Sequence, residues 1–221
     1  LERYIDAEER VERPREQVHL HLDLGASPHL GRSVLRLEDL AVGYRPDAPL
    51  LSGLNLDLPA GARAVLSGPN GCGKTTLLRL IRGELPPLAG RFELGASVRL
   101  GWMDQDQGGL DPCQTSVEAL APWLRSETET RSHLARYQIR GDEALKPLGL
   151  LSHGQRARVL LALLAARQCN LLLLDEPLNH LDAASRDRFE EALAQFEGAV
   201  LAVVHDRYFI ERFAGEIWWV E

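Results

Sequence analysis

The apolar positions of the chain fall into two regimes. Two runs late in the sequence, Leu171–Leu174 and Ala199–Val204, contain no polar residue. The first, ending in Asp175-Glu176, fits a central strand of a parallel sheet, buried on both faces; the second reads as another apolar strand. Ala62–Ser67 reads as a short buried strand, and Leu77–Ile81 as the helix after it. Earlier, Val18–Leu24 alternates strictly and predicts a half-buried strand, with His19 and His21 on its outward face in preference to a metal site. Strands are expected at Val34–Val42 and Leu54–Leu58, with a Pro59-Ala60-Gly61 turn between the latter and the Ala62–Ser67 strand, and again at Arg91–Leu94 and Val98–Met103. Residues 114–147 are more polar and helical, with breakers at Pro122, Gly141 and Pro147. From Leu151 the pattern alternates: helix 154–168, strand 170–174, helix 183–196, strand 199–204, helix 206–213, and a final strand through Ile217–Val220. This is α/β patterning preceded by a strand-rich portion. Residues 1–13 read as the end of a solvated helix stopped by Pro14, and residues 25–32 as a loop.

Residues Gly68-Pro69-Asn70-Gly71-Cys72-Gly73-Lys74-Thr75-Thr76 match G-x-x-x-x-G-K-[ST] without a mismatch, between a predicted strand and a predicted helix. That is the context a phosphate-binding loop requires. Gly68, Gly71 and Gly73 let the backbone bend and approach a polyphosphate. Successive N–H groups and the helix start point at the anion. Lys74 is a point charge for the terminal phosphates, and Thr75 offers a hydroxyl to Mg²⁺. The chain holds only two lysines, Lys74 and Lys146, against 23 arginines. Lysine is nevertheless kept where a broad planar fork would not substitute.

Bulk composition adds limits. At 221 residues the chain is long enough for a real core, one domain or two. A net charge of −7 argues against a broad basic face for nucleic acid, though not against a local patch. Cys72, Cys113 and Cys169 are scattered and odd in number, which suits reduced thiols in a cytoplasmic compartment rather than disulfides or a zinc cluster. No apolar run approaches the ~20 residues that span a bilayer, so direct membrane insertion is not expected. The chain starts at Leu1 and has Met103 as its only methionine, so it is read as part of a longer polypeptide.

Other chemistry clusters around strand ends. Asp175 can hold a Mg²⁺ shell and Glu176 can polarise an attacking water, at the carboxyl edge where such sheets bind ligands. Ser152 precedes a long helix and is either an anion-binding cap or an ordinary N-cap. His205 follows the second apolar strand and faces the same edge as Asp175, where it can donate to a γ-phosphate. Gln105 is a candidate Mg²⁺ ligand or water holder. The Tyr44 ring either stacks on adenine or caps the core.

Taken in order, these residues resemble the ATP-binding cassette (ABC) ATPases over about residues 34–221. Gly68–Thr76 is similar to the Walker A loop, Gln105 to the Q-loop glutamine, Leu151–Gln155 to the signature, Leu171–Glu176 to the Walker B strand, Asp182 to the D-loop aspartate and His205 to the switch histidine. Tyr44 stands where that family has its adenine-stacking aromatic. Glu176-Pro177-Leu178-Asn179-His180-Leu181-Asp182 and His205-Asp206-Arg207-Tyr208-Phe209 resemble the ABC-F subfamily, as does the compact segment between Gln105 and Ser152. Two positions depart from the pattern: His153 replaces the first signature glycine, and Leu178 stands where threonine is usual.

The resemblance implies a P-loop NTPase core of ABC type with an antiparallel β subdomain and a small helical signature subdomain, about residues 106–165. Residues 1–33 would be the end of an inter-cassette linker and its return strand. It implies an ATPase using ATP and Mg²⁺, with Glu176, His205 and Gln105 catalytic, and Thr75, Gln105 and Asp175 at the metal. Tyr44, the loop residues Gly68 and Asn70 to Thr76, and Ser152, Gly154, Gln155 and Asp182 would touch nucleotide. The partners implied are a second cassette, paired head to tail, and the ribosome through the linker, as in translation factors or antibiotic-resistance proteins. This chain would be the second cassette of its parent. The alternatives are a motor subunit of a membrane transporter and a DNA-repair cassette; the latter lacks support because no long coiled-coil or zinc insertion separates Gly68–Thr76 from Ser152.

Overall fold

The computed structural model describes residues 33–104 and 109–221. The expected helix end at 1–13, the strand at Val18–Leu24 and Gln105 lie outside the described residues. Two sheets organise the rest. The first is antiparallel, in the order β2-β1-β4, from β1 (Ser33–Val42), β2 (Leu51–Pro59) and β4 (Ala89–Leu94). The second is parallel throughout, in the order β5-β6-β7-β3-β8. Its strands are β3 (Arg63–Ser67), β5 (Leu100–Met103), β6 (Leu171–Asp175), β7 (Ala199–Val203) and β8 (Glu216–Trp219).

The unbroken apolar runs have a direct explanation here. All five residues of β6 and all five of β7 are buried. Because side chains alternate across a strand, Leu172, Leu174, Val200 and Ala202 enter one core, while Leu171, Leu173, Ala199, Leu201 and Val203 enter the other. The second core is closed by the antiparallel sheet and α1 (Lys74–Ile81), through Leu35, Leu37, Leu77 and Leu80. The first is closed by α4 (His153–Ala166), α5 (Ala183–Ala194) and α6 (Arg207–Phe213). Each fully buried leucine in these layers contributes about 1.5–3 kcal/mol relative to exposure.

Residues 109–152 build a small helical unit against α4. It contains α2 (Ser116–Leu120), α3 (Glu127–Arg136) and three short 3-10 turns. Thr115 starts α2 with a reciprocal capping box to Glu118, and Ser126 caps α3. Leu120, Leu134, Tyr137 and Ile139 pack on α4. Arg158 of α4 is buried, pairs with Glu143 at 3.2 Å and donates to the carbonyl of Gln138, tying the unit to the helix. The expected elements are all present where described. The differences sit at ends: α1 begins three residues earlier than its apolar stretch, since Lys74-Thr75-Thr76 form its first turn, and β5 begins at Leu100 because Gly95 and Val98 close a turn instead (Val98 N–H to Gly95 O, 2.9 Å). Among the described residues, no helix is long and apolar enough to cross a membrane.

Candidate active site

Strand register brings the candidate residues to one edge. Asp175 pairs with Val203, which pairs with Leu66, while Met103 pairs with Leu174. The residues that follow, Gly68, Asp104, Glu176 and His205, therefore emerge together at the carboxyl edge of the parallel sheet.

Gly68–Gly73 form the turn from β3 to α1. Gly68 must be glycine because a Cβ there would stand 2.1 Å from the Val220 carbonyl oxygen. Gly73 caps α1 in a left-handed conformation (φ 108) without any side-chain cap, so the first N–H groups of the helix stay free for an anion. Leu50 and Leu51, at the end of the turn that carries Tyr44, pack on Gly73. Tyr44 itself is 60 % exposed, so it does not cap the core; its ring is open to stacking. Lys74 is buried and turned onto the loop, donating to Gly68 O at 2.9 Å and Pro69 O at 2.7 Å, with Cys72 Sγ at 3.9 Å. Asn70 and Gly71 are exposed on the crest, and Thr76 is buried. All three cysteines are free.

Thr75 Oγ1 donates to Asp175 Oδ1 at 3.2 Å. A hydroxyl and a carboxylate side by side are the hard oxygen donors that Mg²⁺ takes when phosphate oxygens and water complete its shell. The residues present thus fit Mg²⁺ bound together with a nucleotide. Burial pushes the Asp175 carboxyl above its ordinary value; Glu176 and Asp104 add to this, against the Thr75 hydroxyl and the Arg79 charge. A nearby cation would reverse that cost.

Glu176 holds a left-handed backbone (φ 52) unusual for a non-glycine residue, with its N–H fixed to Val203 O at 2.9 Å. Such strain is kept where the surroundings over-determine it. Its carboxylate lies 3.1 Å from His205 Nε2. The two residues line a cavity of about 220 Å³ with Asn179, Arg186 and Asp206. A larger cavity, about 620 Å³, opens at the opposite edge beside Ser33, Asn170 and Gly198, and no candidate residue lines it.

The signature residues lie elsewhere. Ser152 caps α4 in a reciprocal box with Gln155: Ser152 Oγ accepts from Gln155 N–H at 3.2 Å, and Gln155 Oε1 accepts from Ser152 N–H at 2.8 Å. The ordinary N-cap is the arrangement realised. Gly154 sits where a Cβ would be 2.7 Å from that of Ser185, so α4 and α5 meet end to end. Asp182 caps α5 through Ser185 N–H (2.7 Å), a bond that holds its exposed carboxyl below the ordinary value. The signature is thereby joined to Asp182, not to Lys74. His153 is exposed on the first turn, its ring 5.8 Å from that of His180. Leu178 is buried in the helical-side core, which accounts for an apolar residue at that position. Sequence reasoning missed Asp104, Arg158 and Arg186. Asp104 was detectable as an acid ending a strand, whereas the two arginines carry no local signal.

Comparison with known proteins follows the same geometry. The family model described as ABC transporter matches residues 51–179, which hold both the phosphate loop and the Asp175-Glu176 pair. The chain belongs to the ABC transporter family. It is an ATP-binding cassette ATPase domain. It is 40 % identical over 202 residues to YdiF of Bacillus subtilis, covering 90 % of this chain and 31 % of that protein. It is 34 % identical over 218 residues to the energy-dependent translational throttle protein EttA of Mycobacterium tuberculosis, covering 96 % of this chain and 39 % of EttA. Protein GCN20 of Saccharomyces cerevisiae is 35 % identical over 211 residues, 94 % of this chain and 28 % of GCN20. The chain thus spans about a third of the length of these relatives. The ABC-F resemblance is consistent with them. A putative metal-chelate type ABC transporter in an inward-facing conformation shares the fold with TM-score 0.72, at 25 % identity over 86 % of this chain and 80 % of that chain. A bacterial Atm1-family ABC exporter with ATP bound shares it with TM-score 0.71, at 22 % identity over 90 % of this chain and 39 % of the exporter chain.

Proposed function

We propose that this cassette binds Mg-ATP at the carboxyl edge of its parallel sheet and hydrolyses it when a second cassette closes over the site head to tail. The observation that carries this reading is the convergence there of Lys74, the Thr75–Asp175 pair and the Glu176–His205 pair, spaced by 3.2 Å and 3.1 Å within each pair. Bound Mg²⁺ would supply charge neutralisation on the phosphate oxygens, held by Thr75 and Asp175 with Gln105.

The chain's own residues do the rest. Lys74 exchanges its two loop carbonyls for terminal phosphate oxygens. The free N–H groups at the start of α1 receive the same anion. Tyr44 stacks on the base. Glu176 orients and deprotonates a water in the small cavity, and His205 holds the Glu176 carboxylate in line while offering a donor to the phosphate. Ser152 and Asp182, exposed at the α4–α5 junction, and Gly154, buried between them, serve the partner's nucleotide. Residues 34–221 form the cassette, with the helical subdomain at about 106–165 and residues 1–33 as the end of a linker.

The parent is read as a two-cassette ABC-F protein with this as its second cassette, acting on the ribosome in the cytoplasm. The translational role in the name of EttA supports that reading. The test is co-sedimentation of the parent protein, carrying Glu176→Gln, with ribosomes in Mg-ATP. ATP-dependent pelleting supports the translational role. Intact nucleotide binding without pelleting moves the assignment to a transporter motor.

A further inference from the structure

Arg186 makes an arrangement that the proposed chemistry does not use. It lies in the first turn of α5, on the helix that Asp182 caps. Its Nε donates to the Leu181 carbonyl at 3.2 Å, one residue before Asp182. Its Nη1 donates to Asp206 Oδ2 at 2.8 Å, one residue after His205. The other Asp206 oxygen accepts the Phe209 N–H at 3.0 Å and so caps α6. One guanidinium therefore spans the two segments that flank the small cavity, and it lines that cavity with Glu176 and His205.

We propose that Arg186 is a positioning residue that couples the 176–182 loop to the His205–Asp206 segment, so that load on the loop re-aims the His205 imidazole against Glu176. Three features support it. The loop is held only in part by its own backbone: Glu176 and His180 both occupy left-handed conformations (φ 52 and 64), so its shape depends on outside anchors. Leu178 and Leu181 sink into the helical-side core, and polar anchors include Glu176 N–H on Val203 O at one end and Arg186 on Leu181 O at the other. A planar fork with fixed donor directions holds two acceptors in one geometry, which a lysine ammonium cannot. Finally, the Arg186–Asp206 pair is partly exposed, 42 % and 29 %, so it adds little to stability. Its worth lies in orientation. The consequence for hydrolysis rests on the function proposed above: a cassette docking on the loop would signal to His205 through this side chain.

The test compares Arg186→Gln, Arg186→Lys, Asp206→Asn and the double variant Arg186→Gln/Asp206→Asn in the whole chain. Amide hydrogen exchange is measured without nucleotide, and nucleotide Kd, KM and kcat are measured at concentrations that permit pairing. Arg186→Gln is expected to speed exchange several-fold both at residues 181–185 and at Phe209. It should lower kcat about ten- to a hundredfold with Kd and KM within about twofold. Arg186→Lys should restore protection in one segment only and leave kcat low. The double variant should be no worse than the single ones, as expected for one shared contact. Faster exchange confined to 181–185, or a loss of affinity in step with kcat, would overturn the coupling. A wild-type chain that binds no nucleotide would sink the functional reading, while the exchange data would still decide the coupling on their own.

Discussion

The phosphate loop and the signature end of α4 are both helix N-termini read as phosphate sites, yet they are finished differently. The first is set into the interior. Lys74 and Asp175 are 6 % and 8 % exposed, the helix start has no side-chain cap, β6 is buried throughout and the three middle residues of β3 are buried. The second is on the surface. Ser152 and His153 are exposed, Leu150 is 76 % exposed, and the helix start is closed by its own capping box. An uncapped helix start beside a buried lysine leaves its N–H groups open to an anion. A capped, exposed start next to Asp182 has met its own hydrogen bonds, and on the function proposed above its free surface serves a partner's nucleotide. The two differ in what they need from outside.

Substitutions can break this contrast. Glu176→Gln should have the largest effect, lowering turnover by roughly 10²–10⁴-fold while nucleotide affinity stays within a factor of about three; undiminished phosphate release would move the base to another residue. Lys74→Ala should cost about 2–3 kcal/mol of nucleotide affinity, roughly a hundredfold in Kd, in titrations of the isolated chain. Ser152→Ala should remove a cap worth about 1 kcal/mol of stability and leave the Kd of the dilute chain unchanged. A weakened Kd in that variant would mean that the signature already shares the chain's own site.

The smallest effect concerns pH. Burial raises the Asp175 carboxyl above its unfolded value. The native state therefore binds a proton that the unfolded chain has already lost, and stability falls as pH rises through that interval, reaching its lower level above the native pKa. Asp175→Asn should melt a few degrees higher than wild type at neutral pH, without nucleotide, and the difference should vanish in acid. The same variant should lose the Mg²⁺-dependent part of nucleotide binding.

Much of this was legible in the chain. The phosphate loop is local: its glycines, lysine and threonine are fixed by nine consecutive residues, and the unbroken apolar runs at Leu171–Leu174 and Ala199–Val204 demand a strand buried on both faces. What could not be read was order and reach. Strand β3 lies between β7 and β8, a neighbourhood set by how distant segments cover two cores, not by any local pattern. Taken alone Ser152 reads as an ordinary cap, and only the other motifs raise the anion site, because both uses need the same hydroxyl at the same position. Arg158 and Arg186 carry no local signal, because their partners, Glu143 and Asp206, lie 15 and 20 residues away.

The scarcity of lysine gives the chain an uncommon chemical handle. Of its two side-chain amines, Lys146 is exposed and Lys74 is buried against the carbonyls of Gly68 and Pro69. An amine-selective acylating dye therefore reports on two addresses of opposite character. Lys146 takes the label on the helical unit, and the slow modification of Lys74 becomes a clock for how often the loop lets go of its own lysine.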